Sequence, residues 1–414
     1  MTLIKTSILS FIAAAVKIVT GLVITKAVAL YIGAAGLALI GQFQNFTQVI
    51  MTVAQGAING GVTKYTAEYG KNDERIPLLF STASKISLSA SLITAVGIVC
   101  FSKLASWQIL KSEDHGYIFI IFGFTLVLFV FNSLLLSILN GLKETKTWAK
   151  INIIQSGYSL IFTTLLIFWL GLDGALIALV TNQSVIFLIV LWMLRKHPII
   201  KFENFRAAFD MPKAKQLAHF SAMAVAVAVI TPISHLMVRN HIVETLGWDY
   251  AGYWQAIWFI STMYLMMITS TLSIYYLPRL SEITLKIELR KELLQGYKII
   301  MPVVIVIAFV IFLLKDFIIW LIFSPDFAPM SELFLFQLVG DVMKIASWLL
   351  SYILIAKAKA KTFIITEIIF GLSFVVLSTL LVDEYGLIGM SYSFALNYSI
   401  YFFALIAITR QHWR

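Results

Sequence analysis

Long apolar runs, broken at intervals by clusters of charge, glycine and proline, set the pattern of this chain. A helix needs roughly 20 apolar residues to cross about 30 Å of hydrocarbon. Twelve stretches meet that length: 6–31, 36–64, 78–104, 115–141, 147–170, 174–196, 214–240, 248–277, 293–323, 331–356, 361–383 and 386–410. Each predicts a membrane-spanning helix. Within three of them the polar positions gather on one face when the chain is wound at about 100° per residue. In the second, Gln44, Gln48, Thr52, Gln55 and Asn59 fall within about 80° of one another. Gln255, Thr262, Thr269 and Ser273 do so in the eighth, and Gln337, Asp341, Lys344, Trp348 and Ser351 in the tenth. These faces are expected to look into the interior. The alternative is helix-to-helix hydrogen bonding, which contributes about 0.6 kcal/mol per contact on average, but five large polar positions on one face exceed what packing needs. Amides and hydroxyls beside Trp254, Trp258 and Trp348 suit sugars, which offer hydroxyls to donors and acceptors and apolar ring faces to aromatic planes.

Composition fixes the class. Hydrophobic residues make up 60% and charged residues 13% of the chain, and mean hydropathy is +0.90, whereas soluble domains carry about 25% charged residues. The chain is read as a multi-pass membrane protein. Its formal net charge of +10 is mostly a topology signal. If both termini are cytoplasmic, the termini and the even-to-odd connections hold 23 of the 31 basic residues; the opposite connections hold Lys103, Lys111 and Lys315, and five lie inside spans. That is the positive-inside asymmetry. A nucleic-acid partner is not expected, since no compact basic domain lies outside the spans. The first segment is expected to be retained rather than cleaved as a signal peptide, because its apolar run resumes after Lys17. Cys100, alone in the chain, forms no internal disulfide and is read as packing.

The five bases inside spans are Lys17, Lys26, Lys85, Arg239 and Lys344, against one acid judged comparably deep, Asp341. A charge at the bilayer centre costs roughly 2.5–3.5 kcal/mol on insertion scales, so unpaired positive charge points to water or an anion. The chain therefore reads as built to carry something negative. Lys17 and Lys344 lie near mid-span. Lys26 and Arg239 lie near outer ends, and Lys64, Lys85 and Arg279 near cytoplasmic ends, where snorkelling is the competing explanation. Lys26 is about 180° from Lys17 on an ideal helix, so both face one cavity only if the helix bends. Asp341 and Lys344, at i and i+3, either form a local ion pair or divide the work, Lys344 binding an anionic headgroup while Asp341 positions it or exchanges a proton.

The chain also repeats itself. At an offset of 215, Lys146-Thr147 falls on Lys361-Thr362, Gly171 and Gly174 on Gly386 and Gly389, and Asn182 on Asn397; residues 138–182 hold 13 identities in 45 positions. Each copy spans six helices, an even number, so the copies share one orientation. The expected architecture is an all-α integral membrane protein, about twelve transmembrane helices in two parallel six-helix lobes around a central cavity. The lobes are placed at 1–200 and 214–414, with a cytoplasmic linker at 201–213. Rocking of two such lobes exposes a cavity to alternate sides of the membrane.

No P-loop, dinucleotide fingerprint, HExxH or metal-spaced Cys/His cluster occurs. No catalytic residue, cofactor or metal is expected, and energy must come from ion gradients or substrate concentration. Gly60-Gly61-Val62-Thr63-Lys64-Tyr65, Gly252-Tyr253-Trp254-Gln255, Tyr276-Leu277-Pro278-Arg279-Leu280-Ser281 and the run Phe336-Gln337-Leu338-Val339-Gly340-Asp341-Val342-Met343-Lys344 resemble segments of the Wzx polysaccharide flippases. The resemblance runs over essentially the whole chain. It implies the multidrug/oligosaccharidyl-lipid/polysaccharide exporter fold and a substrate of undecaprenyl diphosphate bearing a short oligosaccharide of common-antigen or O-antigen type. Movement would run from the cytoplasmic to the periplasmic leaflet of a bacterial inner membrane, with a polysaccharide polymerase and a chain-length regulator as further partners. The implied substrate assigns its diphosphate to Lys17, Arg239 and Lys344, with Lys26 the weaker candidate. Its sugars go to Gln44, Gln48, Gln55, Asn59, Gln255 and Gln337, its entry to Lys64 and Arg279, and coupling to Asp341. Two other readings stay open: a cation-coupled multidrug exporter, which would favour buried acids, and a membrane enzyme acting on lipid-linked sugars, which would need catalytic residues or a large periplasmic loop.

Overall fold

The computed structural model describes residues 3–71, 73–283, 285–357 and 359–413, with side chains at 3–11, 219–224, 226–227, 267, 270–271, 273–274 and 277–278 outside the described set. Among the described residues every regular element is helical. In chain order these are α1 (Leu3–Tyr31), α2 (Gly33–Ala54), α3 (Asn59–Tyr69), α4 (Ile76–Cys100), α5 (Ser102–Leu110), α6 (Gly116–Gly141), α7 (Thr145–Leu194) and α8 (Met211–Thr245). There follow α9 (Trp248–Thr271), α10 (Leu277–Glu282), α11 (Lys286–Leu313), α12 (Lys315–Ile322), α13 (Phe334–Ala356), α14 (Ala360–Tyr385) and α15 (Ile388–Trp413). Each predicted span is mainly helical, though spans and helices do not correspond one to one. Eight helical stretches among the described residues are long and apolar enough to cross a bilayer; one of them, Thr145–Leu194, holds two predicted spans in 50 residues. Helix α2, which carries Gln42, Gln44, Asn45 and Gln48, is not one of the eight.

The second predicted span is not one helix. Gly56 and Ala57 both take positive φ, +61° and +51°. The amide of Gly56 donates to the Val53 carbonyl and that of Ala57 to Thr52, the paired bonds of a Schellman stop. The helical face that joined Gln44 to Asn59 is therefore interrupted after Gln55. The eighth span likewise passes through a π-helical turn, Leu272–Tyr276, before α10. Ser273, counted on its polar face, lies outside the described side chains. Short helix α5 fills most of the connection after the third span, and the ninth predicted span, 293–323, is divided between α11 and α12.

The duplication is visible as geometry. Gly171 breaks α7 with φ +57° and ψ −127°, and Gly386 stands between α14 and α15 with φ +62° and ψ −141°. A Cβ on Gly174 would lie 2.0 Å from the Leu166 carbonyl oxygen, and one on Gly389 would lie 2.0 Å from that of Leu381. Each of these pairs is 215 residues apart. The same hairpin is built twice, and in each copy glycine is needed first for a left-handed turn and then for close backbone approach.

The chain divides into two compact units, Met1–Ile32 with Gln42–Pro232, and Gly33–Gly41 with Ile233–Arg414. The first is cored by Ile58 and Val62 of α3, Leu79, Phe80 and Ala83 of α4, and Leu134 and Ile138 of α6. The second is cored by Leu289 and Leu293 of α11, Leu349, Leu350 and Ile353 of α13, and Tyr401 and Leu405 of α15. Residues 33–41 join the second unit through α9: Asp249 accepts from the Ala35 amide at 3.2 Å. Gly252 leaves room for the Ala34 backbone beside it. Large apolar side chains such as Ile93, Phe124, Trp192, Phe309 and Phe403 are exposed, as a lipid environment requires.

Candidate functional site

The polar stripe of α13 lies on the buried side of that helix. Gln337, Asp341 and Ser351 are buried, and Lys344 and Trp348 are half-buried. Their spacing of 4, 3, 4 and 3 residues keeps them on one face. Asp341 is wholly buried. Its Oδ2 accepts hydrogen bonds from Ser261 Oγ at 2.6 Å and Tyr264 OH at 2.8 Å, both from α9. Gln337 Nε2 donates to Ser261 Oγ at 3.2 Å. Oδ1 of Asp341 is buried with no hydrogen-bond partner among the described residues.

No ion pair joins Asp341 to Lys344 among the described residues. The local pairing that sequence spacing permits is not formed: α9 presents two hydroxyls to the carboxylate, and rings from α9, α13 and α15 lie around the ammonium. Lys344 Nζ lies 4.9 Å from the ring centre of Trp258, 5.3 Å from Trp348, 5.8 Å from Phe394 and 5.4 Å from Tyr398.

Arg239 of α8 is buried. Its guanidinium donates to Gln255 Oε1 and lies 5.2 Å over Trp254. His235, one turn earlier, sets its ring edge to face with Trp258 at 4.2 Å. Five predicted site residues, Arg239, Gln255, Gln337, Asp341 and Lys344, thus share one continuous aromatic and polar cluster in the second unit.

The other predicted residues are placed separately. In the first unit Asn59 donates to Gln55 at 2.8 Å and to Ser133 at 2.8 Å, so these two stay together across the break in the helix. Gln44 and Gln48 are exposed, whereas their neighbour Gln42 is wholly buried. Lys17 is exposed and Lys26 half-buried. Lys64 is exposed, its ammonium 4.9 Å over the Tyr65 ring. Arg279 is half-exposed and lies 3.6 Å from Glu282 and 3.5 Å from Glu292. Lys85 donates to the Ala207 carbonyl at 2.7 Å, which ties the segment before α8 to α4.

Several members of the cluster are not singled out by sequence. Ser261 and Tyr264 carry no charge to mark them, and His235 reads as an isolated histidine. Glu367 is a second acid inside the spans, accepting from Tyr401 OH at 2.7 Å. It is passed over because it stands near the end of its apolar run.

Residues 41–332 match the family described as polysaccharide biosynthesis protein. The chain is 30% identical over 402 residues to the lipid III flippase of Escherichia coli (strain K12), covering 97% of each, and equally to that of Shigella flexneri. Its fold is similar to that of a multidrug resistance MATE family transporter of the MOP superfamily in an inward-facing conformation, with TM-score 0.76, 16% identity and 95% of each chain covered. It is also similar to the lipid II flippase MurJ, inward closed, with TM-score 0.72 and 16% identity over 98% of this chain and 87% of that one.

Proposed function

Given that this chain belongs to the polysaccharide biosynthesis protein family, we propose that it flips an undecaprenyl diphosphate-linked oligosaccharide across a bacterial inner membrane. The cargo is lipid III of enterobacterial common antigen or an O-antigen unit, moved from the cytoplasmic to the periplasmic leaflet by alternating access. The protein is a membrane transporter and not an enzyme of sugar chemistry. The observation that carries the substrate assignment is Lys344, a lysine deep in its span, held over neutral rings with no carboxylate in salt-bridge contact among the described residues. A diphosphate supplies a direct counter-charge. Arg239 offers a planar guanidinium suited to two phosphate oxygens at once. Gln255 and Gln337, with Trp254 and Trp258 beside them, suit the sugar hydroxyls and ring faces. The unpartnered Oδ1 of Asp341 offers an acceptor either to a sugar hydroxyl or to a proton exchanged during the cycle. Both termini face the cytoplasm in this reading, and the flipped lipid passes to a polymerase and a chain-length regulator.

The test is complementation of a strain lacking its lipid III flippase, with mass spectrometry of the trapped lipid-linked glycan. The unaltered chain should restore surface polysaccharide. Lys344→Gln, alone or with Lys17→Gln, should abolish it and accumulate lipid-linked precursor. Normal polysaccharide in the double variant would overturn the assignment.

A further inference from the structure

A lysine deep in a membrane protein is usually balanced by an acid. Lys344 makes no salt bridge with one among the described residues: Asp341, one turn away, gives its Oδ2 to Ser261 and Tyr264, Glu367 accepts from Tyr401, and both acids act on the ammonium only through space. Four rings surround the ammonium instead, contributed by α9, α13 and α15. They brace one another, Trp258 meeting Phe394 at 5.3 Å with planes 84° apart, and Phe394 meeting Tyr398 at 4.9 Å and 67°. His235 meets Trp258 edge to face at 4.2 Å. A cation within about 6 Å of a ring face is attracted by the ring quadrupole, most strongly where water is excluded. The rings carry no net charge. They hold the ammonium in place without setting a negative charge in contact with it, which a salt-bridged carboxylate would do.

We propose that Trp258, Trp348, Phe394 and Tyr398 form a cation box that keeps Lys344 out of a direct ion pair with Asp341 or Glu367 and ready for the diphosphate, and that the box accepts a small alkylammonium ion when the lysine is shortened. This rests on Lys344 being a ligand of the diphosphate. The flexible four-carbon stem carries the ammonium from the rings toward phosphate as the headgroup arrives. Trp258 and Tyr398 are positioning residues, acting through the lysine.

Undecaprenyl diphosphate binding to the full-length protein in nanodiscs separates the possibilities. Trp258→Leu keeps apolar bulk and removes the aromatic face, and should weaken binding about tenfold. Trp258→Phe keeps a face and should cost no more than about threefold. Lys344→Ala should lose diphosphate binding and regain it with millimolar n-butylammonium, and Lys344→Ala combined with Trp258→Leu should not be rescued. Equal losses in the two Trp258 variants, or rescue indifferent to Trp258, would overturn the box. Undiminished diphosphate binding in Lys344→Ala would overturn the ligand role of the lysine; the box then stands or falls on whether n-butylammonium binds that variant by calorimetry. If Trp258→Leu is not recovered as monodisperse protein, Tyr398→Leu against Tyr398→Phe makes the same comparison from α15.

Discussion

Asp341 is where a single side chain decides most. Its carboxylate accepts two short hydroxyl bonds in a wholly buried position. Asp341→Ala strands both donors, at about 1–3 kcal/mol for each buried group left unsatisfied. We expect a clear fall in the unfolding midpoint in detergent. Asp341→Asn retains one acceptor oxygen and should recover much of that stability while still failing in transport. Full transport with unchanged pH dependence in the Asn variant would remove any proton role from this position. Asp341 and Lys344 stand out as candidates in one sequence, because charge in an apolar run is conspicuous. Their partners are not. Ser261 is 80 residues from Asp341, and nothing about a serine or tyrosine on α9 announces which carboxylate it will meet.

Among elements, the two glycine hairpins carry the sharpest prediction. At Gly174 and Gly389 a methyl group would enter a backbone carbonyl of the same hairpin, and neither the carbonyl nor its helix can swing aside as a side chain would. Gly174→Ala and Gly389→Ala should each destabilise by at least about 1–3 kcal/mol, the usual range for overpacking. Gly157→Ala is the control, since its Cβ would meet nothing within 4 Å. It sits inside α7, where alanine is favoured over glycine by up to about 1 kcal/mol. Thermal unfolding of the three variants side by side checks the contrast. The helical spans and the repeated hairpin are legible from apolar run length and aligned glycines. The stop inside the second span was less so, because Gly56 stands in a run whose polar spacing continues helically past it. Only the paired bonds from Gly56 and Ala57 reveal that the periodicity crosses a break.

For the whole molecule, the asymmetry of basic residues predicts both termini on the cytoplasmic side. A C-terminal green fluorescent protein fusion should fluoresce and a C-terminal alkaline phosphatase fusion should be inactive. Phosphatase activity at that end would invert the orientation and, with it, the assigned direction of transport. The repeated glycine hairpin and a 30% identical match over 97% of the chain to a lipid III flippase are both consistent with a transporter. The copies have nevertheless diverged where chemistry is carried. The 215-residue offset places Leu126 and Phe129 opposite Asp341 and Lys344, so the cation box and the buried carboxylate belong to the second copy.

Apolar run lengths, the 215-residue repeat and the distribution of lysine and arginine are properties of the chain itself. They set the membrane class, the number of spans and the expected orientation, because lipid demands helices of a given length whatever their neighbours. Tertiary structure alone decided that Lys344 rests on aromatic rings while Asp341 turns to Ser261 and Tyr264, that Lys85 holds the Ala207 carbonyl, and that Gln42 is buried where Gln44 and Gln48 are not. Those outcomes depend on how each helix is rotated against others far away in sequence, and local periodicity fixes a face without naming what it will touch.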